Sequence, residues 1–365
     1  MTENSLYVGL DPDKKPIDVS IAEPLPGGEV RYWGKIANEP VSVDRLVKRL
    51  LRGGRRLEIG YEAGPCGYGL HRQLNGTAGV RCRVIAPSLT PRRPGDRVKT
   101  NRRDSLTLAK LLRAEELTAV WVPDEAHEAM RDLVRARQSA VADLTRSRQR
   151  ISSFLLRQRI GYPRKPWTKT HRAWLGGLAF AAPAHRLAFD EMLATLDRAT
   201  ARRDRLTDHV AELAPGWSLF WLVEALQAMR GYKLINAATL AAEIGDPRRF
   251  ASPRQLMSFV GMTPSEDSTG DDVRRGPLTK AGNRRARTAL IEAAWTYTRP
   301  ARGVAPQAKP AVAAIAEKAR RRLSARYRKL TGRGKTGTVA VAAIARESLG
   351  FIWAIAQAAG PAQEP

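Results

Sequence analysis

Cysteine is almost missing from this chain: Cys66 and Cys82 are the only two in 365 residues. Their spacing matches no zinc-ligand pattern and builds no disulfide framework, which fits a reducing compartment. The opening residues, Met1-Thr2-Glu3-Asn4-Ser5, lack a basic segment followed by an apolar one, so no secretion signal is expected. No lipidation motif is present. Long uninterrupted apolar runs are also missing. The most apolar stretch, residues 339–358, is broken by Arg346 and Glu347 and predicts a buried helix rather than a membrane span. No internal repeat marks a solenoid or propeller. Acid is scarce relative to base, with 36 Asp and Glu against 62 Lys and Arg, a net charge of +26. Such an excess destabilises a compact chain unless a polyanion neutralises it. With an isoelectric point near 10.9, nucleic acid is the expected partner, in preference to an anionic membrane. The expected location is the cytoplasm, in association with the nucleoid.

What is present is order along the chain, in a length sufficient for two or three domains. Short apolar runs rich in strand formers occur at 6–10, 17–22, 30–33, 57–62 and 80–85, with helical spacing at 41–51 and 69–74. This alternation predicts an α/β domain with a mixed sheet. A basic, proline-containing loop at 87–100 leads to a helix predicted over 105–115. From 125 to 158, Met130, Val134, Val141, Leu144, Ile151 and Leu155 recur at three, four and seven residues, a long amphipathic helix of coiled-coil character. A break with two prolines at 161–169 precedes a second such helix, over 189–213. The two are expected to form an antiparallel hairpin. Beyond Pro215-Gly216 the chain reads as entirely helical, ending in a frayed tail at 360–365.

Two groups of residues carry chemistry. Asp11 and Glu62 end predicted strands, where sites of open α/β sheets gather, and Asp104 opens a helix. Carboxylates so placed are candidate Mg²⁺ ligands, because that ion prefers oxygen donors. Asp13 and Asp96 rival them on the same grounds. Far downstream, Ser268 lies in Gly261-Met262-Thr263-Pro264-Ser265-Glu266-Asp267-Ser268-Thr269-Gly270, followed by Arg274, Arg275, Lys280, Asn283, Arg284 and Arg287. A hydroxyl on a glycine-flanked turn beside these arginines and Lys280 suits attack on a phosphodiester. Ser265 is the competing hydroxyl, though a helix-capping role fits it better. Trp167 and Trp174, among basic residues, are candidates for stacking on RNA bases, with core packing the plainer reading.

The segments Val8-Gly9-Leu10-Asp11, Tyr61-Glu62-Ala63 and Val98-Lys99-Thr100-Asn101-Arg102-Arg103-Asp104-Ser105 together resemble the N-terminal domain of the insertion-sequence-110 family of transposases, relatives of Piv-type DNA invertases. The likeness continues through residues 122–137, 240–287 and 340–355. It implies a RuvC-like, ribonuclease-H-type domain over 1–122, a helical coiled-coil region over 123–215, and an all-α transposase domain over 216–359. In that family a DEDD set holds the metal. Asp11, Glu62 and Asp104 match three of its members, and Asn101 stands where the family has Asp, so one negative charge is lost. Ser268 matches the catalytic serine. The resemblance further implies Mg²⁺ as cofactor, donor and target DNA as substrates, a structured bridge RNA as guide, and a dimer that pairs into a tetramer. The rival expectations are a metal-dependent nuclease in which Ser268 is structural, and an inactive nucleic-acid-binding scaffold.

Overall fold

Leu6, Val8 and Leu10 on one face and Tyr7 on the other are all buried, so the first strand has both faces covered. In the computed structural model, which describes residues 4–25, 27–91, 100–267, 269, 272, 274–300 and 308–361, the chain divides into two units, Met1–Val122 and Pro123–Pro365. The first contains β1 (Ser5–Pro12), β2 (Pro16–Ala22), β3 (Val30–Ala37), α1 (Pro40–Leu50), β4 (Arg56–Glu62), α2 (Gly69–Asn75), β5 (Val80–Ile85) and α3 (Asn101–Arg113). The five strands form one sheet in the order β3-β2-β1-β4-β5. The β1–β2 and β2–β3 pairs are antiparallel, while β1–β4 and β4–β5 are parallel.

Strand period decides the two faces. Leu6, Val8, Leu10, Ile17, Val19, Leu57, Ile59, Tyr61, Cys82 and Val84 pack with Val43, Leu46, Val47 and Leu50 of α1 and Leu74 of α2. Tyr7, Ala22 and Ile85 face the other way, against Leu108, Ala109 and Leu112 of α3. The helix α3 starts at Asn101, four residues before its expected start. Thr100 caps it, its hydroxyl accepting from the Arg103 N–H at 3.3 Å.

The second unit begins with α4 (Glu125–Arg157), α5 (Lys169–Gly176) and α6 (Pro183–Leu213). Pairs such as Arg202–Asp143 and Arg137–Thr207, with Phe154 stacked on Phe189, show α4 and α6 running antiparallel. The short helix α5 was not expected from sequence. It follows Trp167, whose indole, with Trp174, packs against the apolar cluster of α4 and α6. His171 stacks on Trp174 at 5.5 Å, so core packing accounts for both tryptophans. Then come α7 (Phe220–Gln227), α8 (Leu234–Ile244), α9 (Pro253–Val260), β6 (Pro264–Glu266), β7 (Arg275–Leu278), α10 (Arg284–Ala294), α11 (Pro310–Gly332) and α12 (Gly337–Ala359). The β6–β7 pair corrects the all-α expectation for this region: a two-stranded antiparallel sheet interrupts the helices. By length and composition α12 resembles a membrane span, but Val341, Ile344, Leu349, Ile352 and Ile355 are buried in the core of this unit.

Candidate active site

Asp11 and Glu62 reach the site by strand register. The parallel β1–β4 ladder pairs Leu10 with Tyr61, and one step further brings Asp11 level with Glu62 on neighbouring strands about 4.8 Å apart. Both side chains share the parity of Gly9 and Gly60, and hence the α3 face. Gly9 permits that helix to lie close, since a Cβ there would stand 2.2 Å from the Ser105 carbonyl oxygen. Ser20, paired with Gly9, shares a hydrogen bond with Ser105 at 2.8 Å. Leu112, seven residues on, lies over Gly60 and packs with Tyr7, nearer the start of β1. The helix therefore runs antiparallel to β1, with its first turn toward the carboxyl ends of the strands. That turn carries Asn101 and Asp104. Arg102, which lies over the Tyr32 ring of β3 at 4.9 Å, occupies the opposite flank of α3 from Asp104.

Asp11, Glu62, Asn101 and Asp104 are thus gathered at one end of one face, all half-buried. Their donors are oxygens, the type Mg²⁺ selects. In detail they stay apart: among the described residues no three His, Cys, Asp or Glu side chains form a group that could hold a metal ion. The Glu62 carboxylate accepts from the Thr90 hydroxyl at 3.0 Å. The donor set fits a divalent cation by chemistry and by shared location, while the carboxylates do not converge on a single point.

Asp13 is exposed in the β1–β2 turn, where its carboxylate accepts from the Lys14 N–H at 2.7 Å, a turn role. Asp96 lies outside the described residues. Sequence reasoning missed Asp18, paired with Asp11 across β1–β2. Its side chain is 1% exposed, accepts from the Tyr32 hydroxyl at 2.6 Å and lies 3.7 Å from Lys35. An acid inside the apolar alternation of β2 is the signal that could have revealed it. Cys66 lies nearby, its thiol donating to the Pro12 carbonyl at 3.5 Å. Burial, then the charges of Asp13 and Asp11, push that thiol up from its ordinary value of 9.0.

The second candidate group surrounds β6 and β7. Ser268 itself lies outside the described residues, as does the Arg275 side chain. The flanking residues belong to the hairpin: the Asp267 N–H donates to the Arg274 carbonyl at 2.9 Å, and Thr269 bridges to Asp272. Ser265 is in β6 rather than at a helix cap, and its hydroxyl donates to the Pro277 carbonyl at 3.2 Å. Two glycines clasp the hairpin's base. Gly261 has φ +72°, and a Cβ would stand 1.8 Å from the Ala281 carbonyl oxygen. Gly282 has φ +98°, and a Cβ there would stand 2.2 Å from the Phe259 carbonyl oxygen. Only glycine tolerates both demands.

The cations divide by role. Arg274, Lys280 and Arg284 are exposed, and among the described residues Arg274 has a loose acidic partner, Asp272 at 3.9 Å. The Arg287 guanidinium is half-buried and donates to the Val260 carbonyl at 2.8 Å. Asn283, expected to touch nucleic acid, commits its side chain to the protein. Its Oδ1 caps α10 by accepting from the N–H groups of Arg285 and Ala286, both at 3.0 Å. Its Nδ2 donates to the Glu243 carboxylate at 2.7 Å. Glu243, 3% exposed, also accepts a two-pronged contact from Arg135, both bonds 2.8 Å. Burial alone would raise its pKa, but the hydrogen bonds from Arg135 and Asn283 and the charges of Arg135 and Arg131 hold it below 4.5.

Comparison with known proteins bears on both regions. Residues 8–159 match the IS110-type DEDD transposase profile, described as a transposase, and residues 223–309 match the profile of the transposase IS116/IS110/IS902 family. A putative transposase of Sinorhizobium fredii, y4qE, is 48% identical over 97% of this chain and 89% of its own length. The transposase for insertion sequence element IS1533 of Leptospira borgpetersenii is 30% identical over 91% of this chain and 99% of its own. A chain whose acid-bearing sheet and basic hairpin each fall within such a match belongs to the IS110 family of transposases.

Proposed function

We propose that the chain is a DNA recombinase that moves an insertion sequence through a covalent phosphoserine, guided by a structured RNA paired with donor and target DNA. The observation that carries this reading is the alignment of Asp11 and Glu62 on adjacent strand ends, beneath the first turn of α3. A ribonuclease-H-type, RuvC-like domain uses strand ends of this kind, and the sheet order suits it. The α4–α6 pair is read as the coiled-coil region between that domain and the C-terminal transposase domain.

Ser268 attacks a DNA phosphorus. The Ser268 Oγ–P bond forms, the P–O bond to the leaving deoxyribose oxygen breaks, and the serine proton passes to that oxygen. Bond energy is conserved in the phosphoserine diester, so a second strand's hydroxyl reverses the step without ATP. Asp11, Glu62 and Asp104, with the neutral Asn101 oxygen, would hold Mg²⁺, which when bound stabilises charge on the phosphate oxygens. Arg274, Arg275, Lys280, Arg284 and Arg287 contact phosphates near the serine. Sequence choice passes to base pairing, so the protein needs backbone contacts, in keeping with basic residues spread over the whole chain. Four strands are cut and rejoined, which calls for a dimer of dimers.

The test is a covalent trap: protein, copurified RNA and DNA are incubated and denatured, and the gel is read for a DNA-linked protein band. Ser268→Ala is expected to lose the band and Ser265→Ala to keep it. A band that survives Ser268→Ala overturns the nucleophile. Recombination that survives Asp11→Ala overturns the metal site.

A further inference from the structure

The α4–α6 pair has an apolar seam and a charged one. Leu144, Ile151, Phe154, Leu193 and Leu196 close the first. The second opens into a cavity of about 400 Å³ whose lining includes Asp143 and four arginines: Arg146 and Arg150 from α4, Arg198 and Arg202 from α6. Asp143 fixes one guanidinium from each helix. Its carboxylate accepts from Arg146 on its own helix and from Arg202 on the opposite helix at 3.0 Å. The antiparallel register set by Asp143–Arg202 and Phe154–Phe189 brings Arg146 level with Arg198. Among the described residues neither Arg150 nor Arg198 has an acidic partner, and both are exposed.

Four guanidiniums against one carboxylate make a seam that repels itself, a cost that an anion within it would remove. Guanidinium forks match phosphate oxygens two at a time. Arg146 and Arg150 stand one turn apart, about 6 Å along α4, so the groove offers successive positions along a line. Its charged lining does not suit an apolar small molecule.

We propose that this seam is a phosphate-backbone site that grips consecutive phosphodiesters of a nucleic-acid strand, on elements separate from the serine hairpin. It rests on the reading of the chain as an enzyme of nucleic acid. Arg150→Gln/Arg198→Gln removes the two guanidiniums that have no acidic partner among the described residues, at the loss of the Arg198 bond to the Thr195 hydroxyl at 3.1 Å, and leaves the Asp143 contacts in place. The full-length variant is titrated with fluorescent oligouridine, oligothymidine and duplex DNA over a range of salt. Losing two phosphate contacts should flatten the log–log salt slope by about 1.8 on duplex DNA or about 1.4 on a single strand. Loss confined to oligouridine assigns RNA, and loss confined to duplex assigns double-stranded DNA. Loss on all three assigns a general backbone site. Unchanged slopes on all three overturn the proposal. An equal loss in Lys48→Gln/Arg52→Gln, which removes the same charge from exposed positions of the first unit, also overturns it by reducing the effect to net charge. Melting temperature should hold or rise, since repulsion is relieved. The Ser268-dependent band is read in parallel. A flattened slope without that band leaves the groove standing and overturns the recombinase reading, and the band with unchanged slopes does the reverse.

Discussion

Glu243 shows what a single buried charge demands. Its carboxylate is almost wholly enclosed, yet the Arg135 fork and the Asn283 amide supply three hydrogen bonds of 2.7–2.8 Å. Removing Arg135 strands the acid. Because the Arg135 side chain keeps 39% exposure, the loss in Arg135→Met should be about 2–3 kcal/mol, below the range for a fully buried pair. Urea unfolding checks this, and the double variant Arg135→Met/Glu243→Gln should recover part of the loss. The acid side follows from the direction of the shift. The folded pKa lies below the ordinary 4.5, so the contribution is full above the unfolded value and fades as pH falls through the folded one. Glu243→Gln should therefore lose stability less steeply than wild type as pH drops below about 4.5. An equal or steeper decline would contradict that account.

At the scale of elements, the site depends on how closely α3 lies on the sheet. A methyl at Gly9 would meet backbone atoms of α3 at 2.2 and 2.5 Å, whereas the nearest atoms to one at Gly60 belong to side chains, Leu112 at 3.4 Å and Ile85 at 3.6 Å. Gly9→Ala should lift the helix, carry Asn101 and Asp104 away from the strand ends, and lower the melting temperature. Mn²⁺ affinity, followed by electron paramagnetic resonance, should fall at least tenfold, about 1.4 kcal/mol. Gly60→Ala should stay near wild type, and equal effects from the two would refute the close-approach argument. This contrast also separates what the sequence could reveal. Strands ending near Asp11 and Glu62 were legible because an apolar run halts at an acid. Their shared face was not legible, since it depends on a pairing between segments about fifty residues apart. The true start of α3 was hidden because Asn101, Arg102 and Arg103 lack apolar spacing and only the Thr100 cap marks it. Strands of three and four residues have no period to read, so β6 and β7 escaped. What holds them is the Gly261–Gly282 clasp, a contact between parts of the chain that local pattern does not encode. Asn283 looked like one more polar residue beside cations, and its commitment to α10 and Glu243 emerged only with the fold.

For the whole molecule the governing quantity is charge. Sixty-two cations against 36 acids leave +26, and many exposed arginines have partners that are themselves exposed, as in Arg274–Asp272 and Arg172–Asp197. Such pairs contribute little, so most of the self-repulsion remains for solvent ions or a polyanion to relieve. The two effects of salt then run in opposite directions. Raising ionic strength from about 0.05 M to about 0.5 M shortens the screening length from about 14 Å to about 4 Å, which should raise the melting temperature of the free protein. The same change should weaken its hold on nucleic acid by several orders of magnitude, because displaced counterions are no longer released into dilute solution. At low salt, heparin should restore the melting temperature that added salt provides, since a polyanion neutralises the same surface. Differential scanning fluorimetry with and without heparin, beside a binding titration at each salt concentration, reads both effects. A melting temperature that falls as salt rises would mean that attractive ion pairs outweigh the excess of arginine and lysine, and would remove the physical basis for expecting this chain to be stable chiefly in company with nucleic acid.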